Sequence, residues 1–148
     1  MRTLMVLGVS LLVLADADSQ EDATRRELAR LNGIWKYTKV EAPDKIAEAI
    51  AEASVVEFRD GKMIHTITLS TGKKEVAQAT VRLDPSKRPK HFDVTSLDGP
   101  EKGKTTQGIY ELDDDALRIA YEDGQRPTDF TFKKGSIREV YTLKRVKK

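Results

Sequence analysis

Residues 54–83, SVVEFRDGKMIHTITLSTGKKEVAQATVRL, alternate β-prone runs with turn pairs. Ser54 to Arg59 stops at Asp60-Gly61, Lys62 to Ser70 at Thr71-Gly72, and Lys74 to Leu83 at Asp84-Pro85. Asp-Gly and Thr-Gly read as tight hairpin turns, so the three runs are expected to be consecutive antiparallel strands. Met63, His65, Ile67 and Leu69 fall on one face of the middle run, the period of two that a half-buried strand shows.

The same reading extends outward in both directions. Downstream come His91 to Leu97, the loop Asp98 to Lys104, Thr105 to Leu112, the turn Asp113-Asp114-Asp115, Ala116 to Glu122, a loop with Arg126-Pro127, and a last strand near Ile137 to Val146. Apolar residues again alternate: Phe92 and Val94; Gly108, Tyr110 and Leu112; Leu117, Ile119 and Tyr121; Tyr141 and Leu143. Upstream, Ile34 to Glu41 reads as a strand, followed by a helix over Asp44 to Ala53 with Ile46 and Ile50 four apart. Asp22 is a candidate cap for a short helix over Ala23 to Leu31, which Asn32-Gly33 ends. Short connections force antiparallel neighbours, because a parallel crossover needs a dozen or more residues. The expected fold is therefore all-β: about eight antiparallel strands in an up-and-down barrel, with a short N-terminal helix plugging one end and one helical insertion after the first strand. A sandwich is the alternative, but closure removes exposed sheet edges.

The chain has 148 residues and no cysteine, and 39% of it is apolar. Twelve apolar residues fall in residues 1–17, where a cationic start at Met1-Arg2, an apolar run from Leu4 to Leu14 and Ala15-Asp16-Ala17 read as a secretory signal peptide with an A-x-A cleavage site. The apolar run is too short for a membrane span. Residues 18–148 are expected to form a single exported domain, periplasmic or extracellular, with no membrane span after cleavage. The lack of cysteine excludes disulfides, thiol nucleophiles and Cys-ligated zinc. A net charge of +2, with basic clusters only at Lys87-Arg88-Pro89-Lys90 and Lys144 to Lys148, gives no field for nucleic acid.

Leu31-Asn32-Gly33-Ile34-Trp35-Lys36 resembles the glycine-x-tryptophan opening of lipocalin-like barrels. The resemblance implies that Trp35 closes the barrel end beneath a last-strand cation, here Lys144 or Arg145, with Gly33 part of the same structure. Leu83 to Phe130 resembles an uncharacterised secreted domain abundant in planctomycete bacteria. The likeness runs from about Leu31 to Arg145 and includes Leu83 to Pro85, Pro89-Lys90, Asp98 to Lys104, Gly108 to Leu112, Leu117, and Arg126-Pro127 with Phe130. It implies a fold and an exported location and transfers no catalytic residue. The chain departs from it in an alanine-rich helix over Asp44 to Ala53 and in Asp114, where a glycine is usual.

No residue is assigned to catalysis, to a metal or to a cofactor. His65 and His91 lie in different strands with no ligand spacing around them, and no Gly-x-Ser-x-Gly elbow or phosphate-cradling glycine loop is present. Glu111 with Glu122 and Asp93 with Asp129 are carboxylate pairs that only a structure can bring together. Phe92, Tyr110 and Tyr121 are the candidates for a pocket lining, and Arg126 for a ligand mouth. The leading expectation is a non-enzymatic module binding a small, partly apolar molecule in a narrow or shallow pocket. The rivals are an envelope or extracellular module whose filled barrel touches a protein or glycan through the loops Asp98 to Lys104 and Gly124 to Asp129, and, third, a hydrolase.

Overall fold

The computed structural model describes residues 10–147; of the segment read as a signal peptide, residues 1–9 lie outside the described residues. The strands are β1 Gly33–Glu41, β2 Ser54–Arg59, β3 Lys62–Thr68, β4 Lys74–Asp84, β5 Lys90–Ser96, β6 Thr105–Leu112, β7 Ala116–Glu122 and β8 Arg138–Arg145. Each pairs antiparallel with its successor and β8 returns to β1, so the sheet is a closed eight-stranded up-and-down barrel. Helix α1 is Ser10–Leu31 and helix α2, between β1 and β2, is Lys45–Glu52. Among the described residues, no helix is long and apolar enough to cross a membrane.

The turn chemistry acts as the sequence suggests at Asp60-Gly61, where both residues take positive φ, 49° and 78°. Asp44 caps α2, its carboxylate accepting from the Ala47 amide at 3.0 Å. Two local expectations fail. Asp22 is not a cap: nothing from Ser10 to Leu31 is Gly or Pro, so the helix runs through it, and its carboxylate meets Arg25 at 3.4 Å. Leu69 lies beyond the end of β3, in a turn where its amide donates to the Lys73 carbonyl.

The barrel has one plugged end and one open end. At the plugged end Leu28 and Leu31 of α1 seat against a core that includes Trp35, Phe58, Leu83, Phe92, Leu117 and Leu143. Phe58 and Tyr110 both meet Phe92 edge-on, at 6.1 and 5.9 Å between centroids. That geometry sets the quadrupoles of adjacent rings favourably and fills the barrel's lower half with rigid groups. A second cluster lies outside the barrel, where Phe130 covers Ile109, Ala120 and Val140. The segment between β7 and β8 is thereby laid along the outer wall. Arg138 fixes it there by donating to the Asp129 carboxylate (2.7 Å) and the Thr131 carbonyl (3.0 Å).

Candidate functional site: a plugged base and an aromatic mouth

The base is built around Arg145. Its guanidinium lies 4.3 Å from the Trp35 ring and donates to the carbonyls of Arg30 and Asn32. Trp35 Nε1 donates to the Leu31 carbonyl at 2.9 Å. The last turn of α1 thus has its free carbonyls met by one cation and one indole, which also offsets the negative end of the helix dipole. Gly33 has φ +135°, and a Cβ there would lie 2.7 Å from Arg145 Nη1. The positive φ calls for glycine, and a side chain there would also displace the Arg145 guanidinium. The stacking cation is Arg145; Lys144, one residue earlier, points to the other face of β8.

Glu27, which the sequence reading passed over, is buried at the same end. Its carboxylate accepts from the Tyr110 hydroxyl (2.8 Å), Lys90 Nζ (3.1 Å) and Arg30 Nη1 (2.6 Å). Burial pushes this carboxyl up, but the hydrogen bonds from Tyr110 and Lys90 and the charges of Lys90 and Arg30 outweigh it and hold Glu27 below its ordinary range. Burial and the bond to Glu27 in turn push the Tyr110 hydroxyl far up. Helix and barrel are joined by a satisfied polar cluster inside an apolar floor.

Above that floor the open half holds a cavity of about 280 Å3, walled by Tyr37, Tyr121, Tyr141, Met63 and Val94 among others. It adjoins a hollow of about 290 Å3 beneath α2, lined by Ile46, Ile50 and His65; Tyr37, Glu139 and Tyr141 belong to both. The Tyr37 and Tyr141 rings are 5.5 Å apart, and Tyr121 and Tyr141 6.3 Å. Tyr141 donates to Glu139 Oε2 at 2.6 Å. Burial, with the Glu139 charge adding to it, pushes the Tyr37 hydroxyl up to about 12. Burial also drives Tyr121 and Tyr141 up, the latter with its bond to Glu139. His65 Nε2 is buried with no hydrogen-bond partner among the described residues, and burial lowers that imidazole, which favours its neutral form.

Of the four residues proposed from sequence for the pocket, only Tyr121 lines this cavity. Phe92 lies fully buried in the floor, its ring 6.3 Å from Tyr121. Tyr110 belongs to the plugged end, because it is two positions beyond Gly108 on the inner face of β6 and its hydroxyl is held by Glu27. Arg126 stands outside the barrel, donating to both oxygens of Asp93 (2.6 and 3.2 Å) and to the Gly108 carbonyl (2.7 Å). Asp93 alternates with inward-facing Phe92 and Val94, so an arginine bound to it cannot face the mouth. The sequence reading missed Tyr37 and Glu139, and it named Tyr141 only as part of a buried face. Period-two alternation does find them, since Tyr37 follows Trp35 by two and Glu139 precedes Tyr141 by two.

The carboxylates considered as acid/base pairs do not face this cavity. Asp93 is taken by Arg126, Asp129 and Glu122 by Arg138, and Glu111 faces Arg118 at 3.7 Å. Among the described residues no cluster of three metal-binding side chains occurs.

No family model matches the chain, and no curated protein matches it significantly. Among solved structures it is similar to a lipocalin-like protein from Bacteroides uniformis, at 10% identity and a TM-score of 0.52, over 79% of this chain and 99% of that one. An uncharacterized protein from Bacteroides eggerthii matches at 12% identity and a TM-score of 0.49, over 78% of this chain and 99% of that one. At such identity the first of these likenesses speaks to architecture, and the architecture it shows is a lipocalin-like barrel.

Proposed function

We propose that this chain is an exported, non-enzymatic binding module that takes up one small, partly apolar molecule in the open half of the barrel. The observation that carries the reading is the cavity of about 280 Å3 walled by three tyrosines above a solid floor. That volume sits at the lower edge of the ~300–1,000 Å3 usual for ligand pockets, so the guest is metabolite-sized rather than a long lipid. Rigid aromatic walls with a few polar groups suit recognition of one orientation. The same cavity favours binding over the rival reading of a filled barrel that touches a protein or glycan by its loops.

Export rests on the N-terminal sequence pattern. Cleavage after Ala17 leaves the turns of α1 that carry Glu27, Leu28 and Leu31, so the plug survives processing. N-terminal sequencing of the protein recovered outside the cytoplasm should begin at Asp18.

The binding test is a thermal-shift screen of small aromatic and aliphatic metabolites against wild type and Thr106→Trp, which plants an indole beside the cavity wall. Ligands should raise the midpoint of wild type and leave the variant unmoved. A broad panel that shifts neither protein rejects the reading.

A further inference from the structure

The mouth is chemically lopsided. Glu139 faces the inner cavity, the hollow under α2 and a third hollow at the rim beside β6 and β7. Asp44 adds a second carboxylate to the hollow under α2. Among the described residues, no lysine or arginine lines either the inner cavity or that hollow. Lys104, which lines the rim hollow, is paired with Glu101 at 3.0 Å, and Lys39, beside Tyr37, with Glu41 at 3.1 Å. The one hydrogen-bond partner of the Glu139 carboxylate among the described residues is the neutral hydroxyl of Tyr141.

A half-buried carboxylate facing a cavity whose described lining carries no lysine or arginine makes the local potential negative, and the low dielectric of the walls strengthens that potential. Three tyrosine rings sit around the same space, and the faces of such rings attract cations. The His65 ring, edge-on to Tyr37 at 6.0 Å between centroids, has its pKa lowered by burial; it is neutral at pH 7 and adds no positive charge. Anions are repelled here, and a neutral guest leaves the carboxylate uncompensated.

We infer that the guest is an organic ammonium ion on a small aromatic or apolar body, its charge against Glu139 and its body between Tyr37, Tyr121 and Tyr141. This rests on the binding reading above and specifies its ligand class. The ammonium supplies what Glu139 lacks, a positive counter-charge beside the hydrogen bond it already accepts from Tyr141, while the rings take both the cation's edge and the apolar remainder.

Calorimetric titration with three probes of nearly one size tests it: phenethylamine, a cation at pH 7; 2-phenylethanol, its neutral analogue; and phenylacetate, an anion. Wild type should bind phenethylamine at least tenfold more tightly than 2-phenylethanol and should not bind phenylacetate. Glu139→Gln keeps the shape and removes the charge, so it should erase the preference while retaining the alcohol. Circular dichroism confirms that the variant is folded, and the wild-type comparison stands without it. Equal or tighter binding of the alcohol or the acid by wild type overturns the ammonium inference and leaves the binding reading intact. A preference that survives in folded Glu139→Gln overturns the role of Glu139. Failure of all three probes, together with a silent metabolite panel, overturns both readings.

Discussion

Replacing Glu27 by alanine should loosen the plug without touching the mouth. The substitution leaves the Tyr110 hydroxyl, on a residue only 1% exposed, without its acceptor. An orphaned buried hydroxyl costs about 1–3 kcal/mol. Lys90 and Arg30 lose a partner too, but their side chains are 30% and 44% exposed, so solvent limits that loss to about 1 kcal/mol or less. The total is about 1–4 kcal/mol, and at roughly 3–5 °C per kcal/mol for a domain of this size the melting midpoint should fall by roughly 3–20 °C. The effect has a pH signature. Folding lowers the Glu27 carboxyl below its ordinary 4.5, so its stabilisation is complete above that value and is lost as pH falls through the lower, folded-state value. The gap between wild type and variant is therefore full at pH 7 and narrows below pH 4.5. Urea unfolding followed by fluorescence of Trp35, the only tryptophan and fully buried beside the plug, reads both quantities. A variant within about 0.5 kcal/mol of wild type at pH 7, or a gap unchanged at pH 3, would refute the reasoning.

Three further outcomes follow from the same structure. Arg145→Met removes the cation over Trp35 and the donors to the α1 carbonyls, and should cost about 2–4 kcal/mol in urea unfolding, whereas Arg145→Lys recovers only part because an ammonium cannot reach several carbonyls in a plane. Gly108→Ala should cost about 1–3 kcal/mol by the same assay, since the new Cβ would lie 2.8 Å from the Ala120 carbonyl oxygen and from the Tyr121 ring; Tyr121→Ala in the same chain should recover some of that loss. His65, lowered by burial, should titrate below 6.5 in NMR spectra, and the stability of the wild type should decline as pH drops from 6.5 toward that value because the unfolded chain takes the proton first.

The barrel was legible from local signals. Period-two alternation and turn pairs such as Asp60-Gly61 each act within a few residues, so β2, β6 and β7 have the ends expected from sequence, and short links dictate antiparallel order. Gly33 and Trp35 were legible as a base by resemblance, although which cation stacks there depends on the register of β8 against β1. The candidate site was half legible. Alternation tells which residues face inward but not how high they stand along the barrel axis. Height follows from the stagger of paired strands, and it assigns Tyr110 to the floor and Tyr121 to the mouth although both are inward aromatics on neighbouring strands.

What the sequence by itself determined is the set of strands, their order and the face each side chain shows, because these depend on hydrogen bonding and pleat over short distances. Only the tertiary structure decided the rest. Glu27 becomes a buried anchor through partners 63 and 83 residues away. Arg126 is drawn to the outer wall by Asp93, beside a segment that Phe130 holds on Ile109, Ala120 and Val140. Glu139 and Tyr141 come to share a cavity with Tyr37 because closure joins β8 to β1. Burial and charge at these positions are properties of the closed barrel, where residues distant in sequence share one small space of low dielectric.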